Sequence, residues 1–215
     1  NRLVKSIISL ADDVKEDIIR SGNLMNYYNL KIVPETLAEQ VVSDVSVMVG
    51  KLILQTESQP DLQKDTGIQN IYGAQEYKDN IRALFRIVWH ADKLKDTEIE
   101  LLGKISRTDA LAWYDKCVVV SALTLSLIRH FDSKKIDVLF DFYEAGEKQI
   151  WQRALVGLVL GLAFHDNRIE YYPEILQRLK AIQGIKQADK TIEIIIQQFI
   201  KARETEKITR KIQQE

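Results

Sequence analysis

Trp113–Asp132 reads WYDKCVVVSALTLSLIRHFD, and Trp151–Asp166 reads WQRALVGLVLGLAFHD. In both stretches a tryptophan opens, an apolar run follows, and a histidine with an aspartate just after it closes. Cys117–Ile128 is 12 residues long, broken only by Ser121, Thr124 and Ser126, and Ala154–Phe164 is 11. Both fall short of the roughly 20 residues that span a bilayer, so they read as buried core helices. Val118–Val120 is β-branched. Its flanks Ala112, Trp113, Ala122 and Leu123 nevertheless keep helical spacing, which favours helix over strand.

The closing histidine and aspartate recur once more upstream. The three histidines, His90, His130 and His165, lie 40 and 35 residues apart, each with an aspartate one or two places later (Asp92, Asp132, Asp166). Arg-Ala-Leu occurs at 82 and again at 153, 71 residues on, and Trp113 and Trp151 are 38 apart. Together these predict three helix–turn–helix units of about 35–40 residues. Two amphipathic helices cannot bury both their faces alone, so such units stack side by side. The expected fold is all-α, an α-solenoid of stacked antiparallel helix pairs in a HEAT- or tetratricopeptide-like superhelix.

Working outward, long helices are expected near Gln75–Ala91, Asp109–His130 and Glu147–Phe164. Shorter ones follow each, near Thr97–Ser106, Lys134–Ala145 and Glu170–Gln183. Asp96 and Ser133 are candidate N-caps, Gly146 falls past a helix end, and Pro173 suits a helix start. Upstream, Leu3, Val4, Ile7, Ile8, Ala11, Val14, Ile18 and Ile19 mark one apolar helix face, with Gly22 as a stop. Pro34 opens a helix carrying Leu37, Val41, Val42, Val45, Met48, Val49, Leu52 and Ile53. Glu57–Gly67 (ESQPDLQKDTG) has one apolar residue in 11 and reads as a linker or loop. The expected organisation is therefore N-terminal helices over 1–56 that pack on or cap the array, a polar linker over 57–74, and helical repeats over 75–215. Ile208 and Ile212 keep the helical phase near the end, and position 1 is Asn, so a piece of a longer protein is expected.

Charge is balanced, with 30 Lys+Arg against 31 Asp+Glu in 215 residues, which argues against a dedicated nucleic-acid binder. Hydrophobic residues at 46% can offset the entropy of ordering the chain, which argues against disorder. A single cysteine, Cys117, excludes an intramolecular disulfide and any multi-cysteine metal site. No signal peptide is visible at the start as numbered, and the expected compartment is the cytoplasm.

WYDKCVVVSALTLSLIRHFD, WQRALVGLVLGLAFHD, YYPEILQRL (Tyr171–Leu179) and KARETEKITRKIQQE (Lys201–Glu215) resemble the helical region that precedes the repeats of large bacterial tetratricopeptide-repeat proteins. The resemblance covers roughly 75–215. No W-x₂-L-G-x₂-Y word occurs, so a degenerate HEAT-like repeat fits better than a tetratricopeptide one. The resemblance implies a scaffold in a larger assembly, with more helices after Glu215, and it transfers no catalytic residues.

The three His–Asp pairs are the recurrent polar feature. Packed helices about 10 Å apart hold the histidines too far from one another to share a metal whose ligand bonds are near 2.0–2.1 Å. Each is expected to favour the carbonyls at a helix C-terminus, with the Asp serving the next turn. Cys117, among valines, reads as a small hydrophobe. No phosphate-cradle, zinc-protease or serine-hydrolase motif is present, and no cofactor is expected. Gly157 and Gly161 are expected to allow close helix packing. Glu98 with Glu100, and Asp12 with Asp13, point apart and do not form acid pairs. The tail Lys201–Glu215 carries five bases against three acids, an ordinary exposed face.

The best interaction candidates are Trp113, Tyr114, Trp151, Arg153, Tyr171 and Tyr172. The aromatics fall at helix starts near inter-repeat ridges, and Trp, Tyr and Arg dominate binding hot spots. The expected function is a non-enzymatic scaffold that binds another protein or another part of its own full-length chain. A nucleic-acid-binding HEAT-like domain and an enzyme with a site in a helical cleft are the alternatives. The first predicts salt-steep duplex binding. The second predicts loss of activity on replacing His90, His130, His165 or Cys117.

Overall fold

The computed structural model describes residues 2–21, 34–58, 74–183 and 185–212, and among them the chain is all-α with no strand. Ten helices are described: α1 (Arg2–Ser21), α2 (Glu35–Ser58), α3 (Gln75–His90), α4 (Asp96–Arg107), α5 (Trp113–Arg129), α6 (Ser133–Glu144), α7 (Lys148–Phe164), α8 (Asp166–Ile169), α9 (Pro173–Ile182) and α10 (Lys186–Ile212).

α3 and α7 match the expected long helices to within a residue. α5 begins at Trp113 and not Asp109, because residues 109–112 form a turn in which Thr108 Oγ1 accepts the Ala110 N–H at 3.1 Å. α4 and α6 start one residue early, so their N-caps are Lys95 and Asp132, not Asp96 and Ser133. The Asp132 carboxylate accepts the Lys134 N–H at 3.0 Å and so takes the capping role expected of Ser133. The helix expected from Glu170 opens later, on Pro173, as α9, and the single turn α8 lies ahead of it, between α7 and Glu170. Gly146 has φ of 74° past the end of α6, a conformation that favours glycine. Glu57 and Ser58 belong to α2. Gly22 and the rest of the expected linker up to residue 73 lie outside the described residues.

α3, α5 and α7 lie side by side and run the same way. Their starts are joined by Tyr77 Oη to Asp115 (2.6 Å) and by Lys116 Nζ to Glu147 (2.6 Å). Their ends are joined by Ser126 Oγ to the Ala91 carbonyl (2.7 Å) and by His165 Nε2 to the Leu127 carbonyl (2.6 Å). α2 packs beside α3, and α10 beside α7. The intervening short helices form a second row, α4 on α6 and α6 on α9. Leu101, Leu102 and Ile105 of α4, Leu123 and Leu127 of α5, and Ile136, Leu139, Phe140 and Phe142 of α6 are fully buried between the rows. Each such side chain contributes about 1.5–3 kcal/mol relative to exposure. Gly157 and Gly161 let α7 approach α5, since a Cβ at these positions would run into Thr124 and Leu127.

The last carbonyls of a helix have no partner within it, and here side chains of neighbouring helices supply one. Buried Lys135 donates to the carbonyls of Ala91 (2.9 Å), Asp92 (2.8 Å) and His130 (3.1 Å), and so closes the ends of α3 and α5 together. Arg129 donates to the carbonyls of His90 and Ala91 and pairs with Asp92 at 2.5 Å. His165 serves the end of the preceding long helix, not of its own.

That edge of cations and helix ends receives α1. Asp12 pairs with Arg168, Asp13 with Lys93 (3.0 Å) and His130 (3.2 Å), and Glu16 with Arg129 (2.9 Å). Lys5 lies over the Tyr172 ring at 3.9 Å. The apolar face of α1 turns outward, with Leu3 73%, Ile7 58%, Leu10 63% and Ile18 64% exposed. The spacing identifies the helix, but its apolar face does not join the core, because the edge beneath it offers charge.

Candidate functional site

The six candidate residues separate into two groups. Trp113 and Tyr114, at the start of α5, are 46% and 48% exposed, with their rings edge to face at 5.8 Å between centroids. Arg153 is exposed one helix away on α7, and its Nη1 donates to Ser121 Oγ at 2.8 Å. Trp113 and Arg153 line the same open groove of about 690 Å³ between α5 and α7, with Cys117, Ser121, Leu125 and Val156. The structure brings these two together, and Tyr114 stands beside them.

Trp151, Tyr171 and Tyr172 belong elsewhere. Trp151 is half-buried and packs edge-on against Tyr143. Its position on α7 puts it one turn from Leu155 and two from Leu158, both core residues. Tyr172 packs on Phe131 at 5.0 Å and lies under Lys5, so it helps seat α1. Tyr171, half-buried next to it, interacts with Glu170, whose carboxylate raises the phenol pKa. Both tyrosines sit past the end of α7, at the opposite end of that helix from Trp113's groove partners.

The groove's own chemistry is apolar and weakly basic. Cys117 lies in its floor, where burial pushes the thiol pKa up and Arg153 draws it only partly back. Its Sγ is 4.0 Å from the Gln149 carbonyl. A thiol so placed is mostly protonated at neutral pH and behaves as a packing group. The three histidines are all buried at the other edge. His130 Nδ1 is 3.1 Å from the Phe131 carbonyl, and His90 stacks on Trp89 at 4.6 Å. Burial lowers the pKa of His165, although its bond to the Leu127 carbonyl opposes this. Among the described residues no group of three or more His, Cys, Asp or Glu is arranged to hold a metal ion.

The sequence reading passed over the ridge between Tyr114 and the end of α5. Val118 and Leu125 are exposed on it, four and eleven residues after Tyr114, and that spacing places all three on one face. It also passed over Lys78, Arg82 and Arg86, a cationic stripe with a strict four-residue interval on α3. Both signals are visible in the sequence once the inward face of each helix is fixed. No described helix is long and apolar enough to cross a membrane. In comparisons with known proteins, no family model, no curated protein and no solved structure matches this chain.

Proposed function

We propose that this chain is a non-enzymatic helical-repeat scaffold that binds a partner protein, or another region of its own full-length chain, through the outer face of α5 and α7. In this reading the rows described above are a short α-solenoid of HEAT-like antiparallel helix pairs, in keeping with the resemblance to helical regions of bacterial tetratricopeptide-repeat proteins. Contacts that recur at a constant interval support the repeat: Tyr77 with Asp115, Leu94 with Asp132, Asp96 with Lys134, and Leu127 with His165 are all 38 residues apart.

The observation that carries the binding reading is the pairing of two exposed aromatic rings with an open groove and an exposed arginine, where aromatic and Arg anchors concentrate binding energy. The test places a photoreactive residue at Gln152, exposed beside Arg153 in the same groove. One protein segment is expected to be captured repeatedly from the native extract. Joint replacement of Trp113 and Arg153 by Ala is expected to weaken its binding by at least about 30-fold, the loss that a single hot-spot residue of about 2 kcal/mol gives alone. No capture, or capture indifferent to both substitutions, overturns the reading.

A further inference from the structure

We propose that the occupant of this face is an acidic amphipathic helix of a partner protein, lying along the outer ridge of α5 with its apolar side on Tyr114, Val118 and Leu125 and its carboxylates against the cations of α3. The proposal rests on the protein-binding reading and names the partner's chemistry. On the α3 side of the ridge runs a second groove of about 600 Å³, floored by Ile81, Phe85 and Val118 and rimmed by Lys78, Arg82 and Arg86. One helical turn, about 6 Å of rise, separates each cation from the next. Arg82 is held by Asp79 at 3.2 Å on the exposed surface. Lys78 and Arg86 have no ion-pair partner among the described residues.

The one carboxylate that lines this groove, Asp115, does not neutralise the rim. It is buried and accepts the Tyr77 hydroxyl at 2.6 Å. On the other side of the ridge stands Arg153. An apolar ridge between cations complements a helix whose apolar stripe is flanked by acids. Carboxylates at i and i+4 of such a helix repeat at the same rise as the α3 cations. A phosphodiester backbone would match the charge but would offer nothing apolar to Ile81, Phe85 and Val118.

A display selection of random peptides, of about 20 residues so that helices can form, against the whole chain tests this. Enriched peptides are expected to carry an acidic excess and apolar residues at helical spacing. Their binding is expected to weaken roughly tenfold or more on the joint change Lys78→Glu, Arg82→Glu and Arg86→Glu. Leu125→Asp, which leaves those charges alone, is expected to weaken it similarly. Reversal of Lys190, Lys201 and Lys207 on α10 is expected to change nothing. If the reversed α3 variant loses its helical signal, Lys78→Gln, Arg82→Gln and Arg86→Gln takes its place, with a smaller loss in the same direction. Enriched peptides that are neutral or basic, or acidic ones indifferent to the α3 changes, overturn the acidic-helix proposal and leave protein binding standing. Salt-steep binding of a DNA duplex through the same cations, with no peptide enriched, overturns both.

Discussion

α1 carries a pronounced apolar stripe, α5 is apolar nearly all round, and the two pack in opposite senses. α5 turns Val119, Val120, Ala122, Leu123 and Leu127 inward, and the neighbours on either side are apolar in turn. α1 turns Asp12, Asp13 and Glu16 inward and leaves Leu3, Ile7, Leu10, Val14 and Ile18 facing out. The cause lies in the edge that α1 covers. Three long helices end there, and helix C-termini attract cations. Arg129, Lys135 and Arg168 gather at those ends, and Arg129 and Arg168 in turn draw the acids of α1. A stripe therefore reveals a helix, whereas the neighbour decides which face is buried.

The largest expected effect tests the α5 side of this contrast. Leu123→Ala removes a fully buried side chain between the two rows. It is expected to destabilise the protein by about 2–5 kcal/mol, as transfer and cavity costs add. The urea midpoint of unfolding checks it. A loss below about 1 kcal/mol would mean that the rows repack freely, and the distinction between the two helices would collapse.

α1 is expected to come away without the rest. Asp12→Asn with Glu16→Gln removes its pairs to Arg168 and Arg129, each a hydrogen bond to a charged group contributing about 1.5–3 kcal/mol. Hydrogen exchange over residues 2–21 is expected to speed up while α5 amides keep their protection. Retained protection of α1 would show that its apolar side, not its charge, holds it. Acid separates the helices too. Burial pushes Asp13 up, but Lys93 and His130 outweigh it and hold its pKa below 3.8. Its contribution is present above that value and is lost as pH falls through the lower, folded one. Burial outweighs Tyr77 at Asp115, so its pKa is raised and acidification favours the folded form there. Protection of α1 amides, corrected for the slower intrinsic exchange in acid, is thus expected to fall on acidification before protection in α5.

Much of the fold was legible because long periodic helices advertise themselves. α3 and α7 fall where the spacing places them, and Gly157 and Gly161 mark the closest approach of α5 and α7. What was not legible depends on partners distant in the chain. Lys135 follows Ser133 and Lys134 in the first turn of α6 and looks like an exposed charge until the ends of α3 and α5 are brought over it. The outward turn of α1 has the same origin, since its ionic partners lie about eighty to more than a hundred and fifty residues away. Within the candidate site, the aromatics were grouped by their place at helix starts. A rotation of about 100° per residue separates neighbours on a helix, so Trp151 and Arg153 need not share a face. Asking which of them shares its face with Leu155 and Leu158 would have divided the group.

The smallest expected effect is the sharpest test of α1. Leu10 is among the most exposed large apolar side chains of the molecule, and Gln has nearly the same helix propensity as Leu. Leu10→Gln therefore isolates burial from helix formation. It is expected to leave stability within about 0.5 kcal/mol of the parent, as surface substitutions do. Thermal unfolding of the two proteins measured side by side checks this. A loss of about 2 kcal/mol or more would place Leu10 in an apolar contact in the isolated protein. The inward acids of α1 would then be a supplement to ordinary hydrophobic docking, and α1 and α5 would follow one rule where the structure shows two.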